Sequence, residues 1–274
     1  MTTSTVPIII LGSCIGSFLN VLIFRIPRKE SFVFKRSNCP SCKQKLNIID
    51  LVPIIGWLLL RGKCRYCSTF ISIRYPLVEI LTSFLFVLSI ESNGFSNNLL
   101  PVFFNIFSGW ILLSYLIVLS LIDIDEMTLP NSLTYSGSIL GFILIYLFNL
   151  FFTNSSDLTL LNNLKAYFIA YIGISIFSFI VHLLIKKPGL GGGDAKLFAM
   201  SGAWLGTSGL QVTIPLTFLL SAVFVVFGLA LKFCKRGGYI PLGPFICISI
   251  FLVWHFGSTF WFDLLGDIFW WKYL

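Results

Sequence analysis

Charge is scarce in this chain. Only 11% of its 274 residues are Asp, Glu, Lys or Arg, against 57% hydrophobic and 16% aromatic residues. A mean hydropathy of +0.92 leaves far more apolar surface than a soluble globule can hide. Histidine is nearly absent too: His182 and His255 each stand alone in an apolar run and read as packed side chains. No G-x-G-x-x-G follows a strand pattern, which argues against a soluble nucleotide-binding domain. No internal repeat is visible either, which speaks against a proton-coupled transporter built from two related halves.

What fills the chain is long apolar runs, near 6–24, 76–90, 99–122, 132–152, 166–185, 195–208, 210–231 and 244–262. Runs of about 18 or more residues read as spanning helices. The expected fold is therefore an all-α polytopic membrane protein with about eight transmembrane helices. The run at 195–208 is short and rich in small residues, so it reads as half-buried among its neighbours. The first run has no basic segment ahead of it and is followed by positive charge, which reads as a retained helix rather than a cleaved signal.

Lysine and arginine fall almost wholly on one side of these runs. Eleven lie between Arg25 and Arg74, six more follow at Lys186, Lys187, Lys196, Lys232, Lys235 and Arg236, and only Lys165 and Lys272 are left for the other face. Basic loops stay in the cytoplasm, which sets the N-terminus in the periplasm. The basic residues flank spans, so the expected partners are anionic membrane lipids and not nucleic acid.

The stretch 28–75 is the one sizeable region without a spanning run, and it carries Cys39-Pro-Ser-Cys42 and Cys64-Arg-Tyr-Cys67. Paired C-x-x-C knuckles at this separation supply four thiolates for tetrahedral Zn²⁺. A reducing cytoplasm disfavours the alternative of two disulfides. Four cysteine ligands leave no open position, so the zinc is expected to be structural and to fold a loop too small for its own core. The expected domains are 1–27, a first transmembrane helix; 28–75, the four-cysteine zinc loop; and 76–274, a multi-helix membrane domain. Cys14, Cys234 and Cys247 sit in apolar runs without paired spacing and read as small buried hydrophobes.

Asp123 in LIDIDEMTLPN and Asp194 in GLGGGDAKL break apolar runs near the same predicted membrane face. Taken singly, Asp194 reads as a helix cap and Asp123 or Asp125 as a solvated helix end. Taken together they are two carboxylates at a membrane boundary, where ionisable groups mark functional sites. Such a pair can share a proton and activate water. A zinc-knuckle scaffold without catalysis would be indifferent to both.

Several motifs now converge on one family. GSCIGSFLNVLIFRIP, the two knuckles, IIGWLLLRGKCRYC and ISIRYPLVEILT appear in order. Asp123 stands seven residues before Pro130-Asn131, and Gly191-Gly192-Gly193-Asp194 is followed by Lys196-Leu197. In these features the chain resembles the type IV prepilin peptidases, the bacterial leader peptidase/N-methyltransferase family of GxGD aspartyl proteases. The family pattern has a non-glycine, often aromatic, residue where this chain has Gly192.

The resemblance implies a bifunctional enzyme of the bacterial inner membrane. Asp123 and Asp194 are then its catalytic pair on the cytoplasmic side, cutting the basic leader from prepilins and type II secretion pseudopilins. It implies S-adenosylmethionine as methyl donor for the new N-terminus, and it assigns the donor no residues. Asn20, Arg25 and Glu79 are the polar residues to watch there. Asp125, Glu126 and Glu79 are the acids available to receive a basic leader. Helix ends alone suggest that Asp194, at a helix start, is the base and Asp123, at a helix end, the acid.

Overall fold

Apolar runs too long for any core become helices that satisfy their own backbone groups, the one solution open to a spanning segment other than a closed barrel. A computed structural model describes residues 5–31, 37–91, 99–152, 156–186, 190–232 and 239–269. The helices are α1 (Thr5–Arg25), α2 (Ile55–Leu59), α3 (Arg74–Glu91), α4 (Leu99–Glu126), α5 (Asn131–Phe152), α6 (Ser156–Ile185), α7 (Gly192–Ala230) and α8 (Gly243–Phe269). Among the described residues there are two isolated β-bridges and no strand.

Six of these helices, α1 and α4 through α8, are long and apolar enough to cross a membrane. Helix α3 carries Arg74, Glu79 and Glu91 within its 18 residues and is the expected run at 76–90. The runs expected at 195–208 and 210–231 are joined in α7, across a break at Gly206 with φ 67° and ψ −168°. Asn162 and Asn163 of α6 crowd that break, and Thr207 shares a 2.7 Å hydrogen bond with Asn162. Glycine is required there, because L-residues avoid this backbone region. Counting α3 and both parts of α7 recovers the eight expected runs.

The chain forms two compact units, Met1–Ser96 with Gly109–Val118, and Asn97–Ser108 with Leu119–Leu274. In the first, α1 lies against α3. A Cβ on Gly12 would stand 2.6 Å from the Ser83 Cα, and one on Gly16 would stand 2.7 Å from the Glu79 Cα. This is the small-xxx-small approach that packs helices where the surroundings are as apolar as the side chains. Ser83 Oγ donates to Ile9 O at 3.0 Å and Asn20 Nδ2 donates to Tyr75 O at 3.1 Å. Trp110 stacks on Phe86 with ring centroids 5.1 Å apart.

In the second unit α7 packs against α5, α6 and α8. Its first half buries Leu197, Phe198, Ala199, Met200 and Ala203. Gly202 meets the Ala166 backbone, Gly141 leaves room for the Trp204 indole, and Trp204 Nε1 donates to Gly137 O at 2.9 Å. These contacts hold the start of α7, where Asp194 sits.

Two single-residue expectations change. Cys14 is exposed on α1 rather than buried, while Cys247 is buried; Cys234 lies outside the described residues. His182 is exposed, whereas His255 packs between Phe251 and Phe256 as expected.

Candidate functional site: a carboxylate pair and a four-cysteine cluster

Asp123 lies in the last turn of α4, where the chain is about to leave the helix at Met127 with φ 50° and enter the Pro130 turn that starts α5. Proline at that point cannot continue α4, so the aspartate is held at a fixed distance from the helix end. Its side chain is only 5% exposed. Oδ2 accepts the backbone N–H of Gly243 at 2.8 Å, at the first residue of α8.

Asp194 is the third residue of α7, and its Oδ2 accepts the Gly191 N–H at 2.9 Å. The capping role is therefore real. Asp194 is partly exposed; Asp123 is buried. Each carboxylate thus meets an N–H at a helix start, so the contrast between helix ends does not by itself separate the two.

The two motifs are also fastened to each other. Lys196 Nζ donates to Asn131 Oδ1 at 2.6 Å and sits 5.6 Å from the Tyr135 ring centroid. A Cβ on Gly193 would stand 2.9 Å from Leu129 Cβ, whereas one on Gly192 would meet nothing within 4 Å. Open space at Gly192 leaves room for the larger residue that the family pattern has there. The tight glycine is Gly193.

Gly243 escaped the sequence reading. Its signal was present in Pro241-Leu-Gly243-Pro244, a glycine between prolines at the start of an apolar run. A Cβ there would stand 2.6 Å from Asp123 Oδ2. Asp125 and Glu126 are exposed at the end of α4, in contrast to the buried Asp123 two and three residues before them.

In the first unit the sulfur atoms of Cys39, Cys42, Cys64 and Cys67 all lie within 4.8 Å of one another. Each knuckle is built alike. The Cys39 N–H donates to Gln44 O and the Lys43 N–H to Cys39 O; Cys64 with Thr69 and Ser68 with Cys64 repeat the pattern. Bridges Asn38 to Lys45 and Lys63 to Phe70 close the two turns, and Lys43 and Ser68 both take φ 57°. A tetrahedron with Zn–S bonds of about 2.3 Å has sulfur edges of about 3.8 Å. The Cys39–Cys67 separation is 3.8 Å. The donor set fits, and the cluster can hold a metal ion.

Hydrogen bonds from the Thr69 hydroxyl and backbone pull the Cys67 thiol down to about 6. Cys39 is lowered as well, first by the Cys42 N–H. These two shifts favour the thiolate, the form a metal takes, whereas the Cys42 thiol, despite the Gln44 N–H, is pushed up to about 11 by burial and the neighbouring sulfurs, so the four sulfurs share their protons unevenly. The polar residues to watch are buried in this unit: Asn20 on Tyr75 O, Arg25 Nη1 on Ser31 O at 3.1 Å, and Glu79 Oε2 accepting the Ile54 N–H at 2.7 Å.

A multi-pass helical membrane protein with paired aspartates and a four-cysteine loop is the class these features define. The sequence model of the Bacterial Peptidase A24 N-terminal domain matches residues 10–92, and that of the Type IV leader peptidase family matches residues 110–230. The chain belongs to the type IV leader peptidase family, a family of aspartic proteases. It is 33% identical to the prepilin leader peptidase/N-methyltransferase of Neisseria gonorrhoeae, over 92% of this chain and 90% of that one. It is 35% identical to that of Vibrio cholerae over 89% and 93% of the two chains. With the type 4 prepilin-like proteins leader peptide-processing enzyme of Escherichia coli it shares 32% over 87% and 88%. No solved structure matches.

Proposed function

We propose that this chain removes the basic leader from type IV prepilins and type II secretion pseudopilins, and then methylates the new N-terminal amine. The work is done at the cytoplasmic face of the bacterial inner membrane, with the N-terminus periplasmic. The reading rests above all on one observation: the Asp123 and Asp194 motifs are fastened to each other in one unit through Lys196–Asn131 and Gly193–Leu129, and each carboxylate accepts a backbone N–H. A prepilin has a basic leader before a long apolar helix. The helix stays in the bilayer and the leader lies at the interface, where the basic loops of this chain also lie.

In the proposed chemistry Asp194, the more accessible carboxylate, takes a proton from water as the water oxygen attacks the scissile carbonyl carbon. Asp123 gives its proton to the carbonyl oxygen. The tetrahedral intermediate then collapses with cleavage of its C–N bond. Asp194 passes its proton to the leaving amine, and Asp123 recovers one from the intermediate's hydroxyl. The Gly243 N–H and the Gly191 N–H fix the two carboxylates throughout.

Cys39, Cys42, Cys64 and Cys67 would hold a structural Zn²⁺, which ties the two knuckles together and leaves no ligand position open. The functional division follows as 1–27, 28–75 and 76–274. S-adenosylmethionine is the proposed methyl donor on the family resemblance, and the relatives are named N-methyltransferases. The described residues offer no strand-borne glycine turn to cradle it.

The test is to incubate membranes containing the protein with a prepilin and labelled donor and to score cleavage and methylation separately. Both products are expected. Intact prepilin after incubation with correctly inserted protein would contradict the reading.

A further inference from the structure

The four-cysteine loop does not behave as a water-soluble insert. Between the knuckles, residues 48–60 read IIDLVPIIGWLLL, too short to span and too apolar for a solvated loop. Ile48 is 81% exposed and Leu59 69%, and Ile49, Ile55 and Leu58 are each more than half exposed. On a soluble domain so continuous a patch would need a partner.

Its depth is fixed by Glu79. The Ile54 N–H donates to Glu79 Oε2 at 2.7 Å, and the Ser17 side chain also hydrogen-bonds that carboxylate. Glu79 stands five residues into α3, about 7.5 Å along its axis from Arg74; Ser17 stands eight residues before Arg25, about 12 Å from the basic end of α1. The segment therefore returns alongside α3 and the spanning helix α1, below the level of Arg74 and Arg25 at their ends. Ile54 adopts φ 61° and ψ −56° to make this contact. A β-branched residue rarely takes that conformation unless its surroundings enforce it.

The backbone is also prepared for a place without water. The N–H groups of Val52, Ile54, Ile55, Gly56, Leu58, Leu60, Arg61 and Gly62 all have acceptors within the unit, and Pro53 has no N–H to satisfy. Trp57 Nε1 is satisfied by Ile71 O at 3.1 Å. Non-helical backbone at membrane depth is tolerated where protein satisfies it, and the one charge in the segment, Asp50, is likewise turned in and paired with Arg65 at 2.6 Å. On either side stand exposed Lys43, Lys45, Arg61 and Lys63, complementary to anionic headgroups.

We infer that residues 48–60 form a re-entrant segment seated in the lipid leaflet at the basic ends of α1 and α3, tethered at its depth by the Glu79–Ile54 hydrogen bond. The occupant of the apolar face is phospholipid acyl chain. Neither the carboxylate pair nor the metal is needed for this inference.

The experiment introduces p-benzoyl-phenylalanine in place of Leu58 or Leu59, both exposed, in the full chain reconstituted into phosphatidylethanolamine/phosphatidylglycerol vesicles. Ile10, 58% exposed on a spanning helix, is the positive control, and Ser41, exposed at the tip of the first knuckle, the negative one. On irradiation, positions 58, 59 and 10 are expected to yield lipid adducts and position 41 none. Glu79→Ala should reduce the adducts at 58 and 59 and leave that at 10 unchanged. Crosslinking of 58 and 59 to a second copy of the chain would overturn the inference. So would the absence of lipid adducts at both positions while Ile10 gives one.

Discussion

The backbone N–H of Gly243 donates to Asp123 Oδ2 at 2.8 Å, and no side chain fits between them, because a Cβ at 243 would stand 2.6 Å from the same oxygen. The start of α8 thus sets the position of a carboxylate that lies 120 residues earlier in the chain.

Gly243→Ala is accordingly expected to displace Asp123 and to lower the cleavage rate by about 10²-fold, the cost of roughly an ångström of misplacement at a reacting group. The protein should still insert and retain its metal. Single-turnover cleavage of a prepilin in detergent measures this, and an unchanged rate would remove Gly243 from the site.

The glycine loop gives a paired comparison. Gly193→Ala drives a Cβ to 2.9 Å from Leu129 Cβ and should impair cleavage, whereas Gly192→Phe points into open space and should keep activity within a few-fold of the starting chain. Equal damage from both substitutions would show that the loop needs flexibility at Gly192.

For the metal, purified reduced protein is expected to carry one zinc, and Cys39→Ser or Cys64→Ser should lose it and speed proteolysis between Lys29 and Arg74. Zinc displaces the thiol protons, so its affinity should fall steadily as pH drops. Metal analysis across a pH series reads both effects. A metal-free chain with an intact, protease-resistant loop would refute the assignment.

Separate chemistry for the two activities predicts separate loss. Methyl transfer needs a free amine and a donor, not an acid pair, so Asp194→Asn protein should still label mature pilin supplied with labelled donor. Damage to the four-cysteine loop should depress methylation more than cleavage. Loss of labelling in folded Asp194→Asn protein would mean that the two sites overlap.

Much of this was legible before any coordinates. The apolar runs announced the helices because a spanning helix needs only length and hydrophobicity. The knuckles announced themselves by local spacing. The choice of Asp123 over Asp125 came only from the family resemblance, whose pattern sets an aspartate seven residues before the proline; the residues by themselves left both as helix-end acids. Gly243 was not legible, since its role depends on a partner 120 residues away. Nor was the balance of helix ends, because Asp123 meets the start of a helix other than its own. His182 and Cys14 were misjudged for a related reason: an apolar run in a membrane protein has a face turned away from the protein, and sequence alone does not say which residues occupy it.

Leader cleavage by Asp123→Asn, Asp194→Asn and Asp125→Asn proteins, each checked for membrane insertion, tests the aspartate pair most directly. Loss of a general acid or base costs about 10² to 10⁴ in rate, so the first two variants should leave the prepilin essentially uncut while Asp125→Asn retains much of the activity. Full cleavage by either Asp123→Asn or Asp194→Asn would contradict the account.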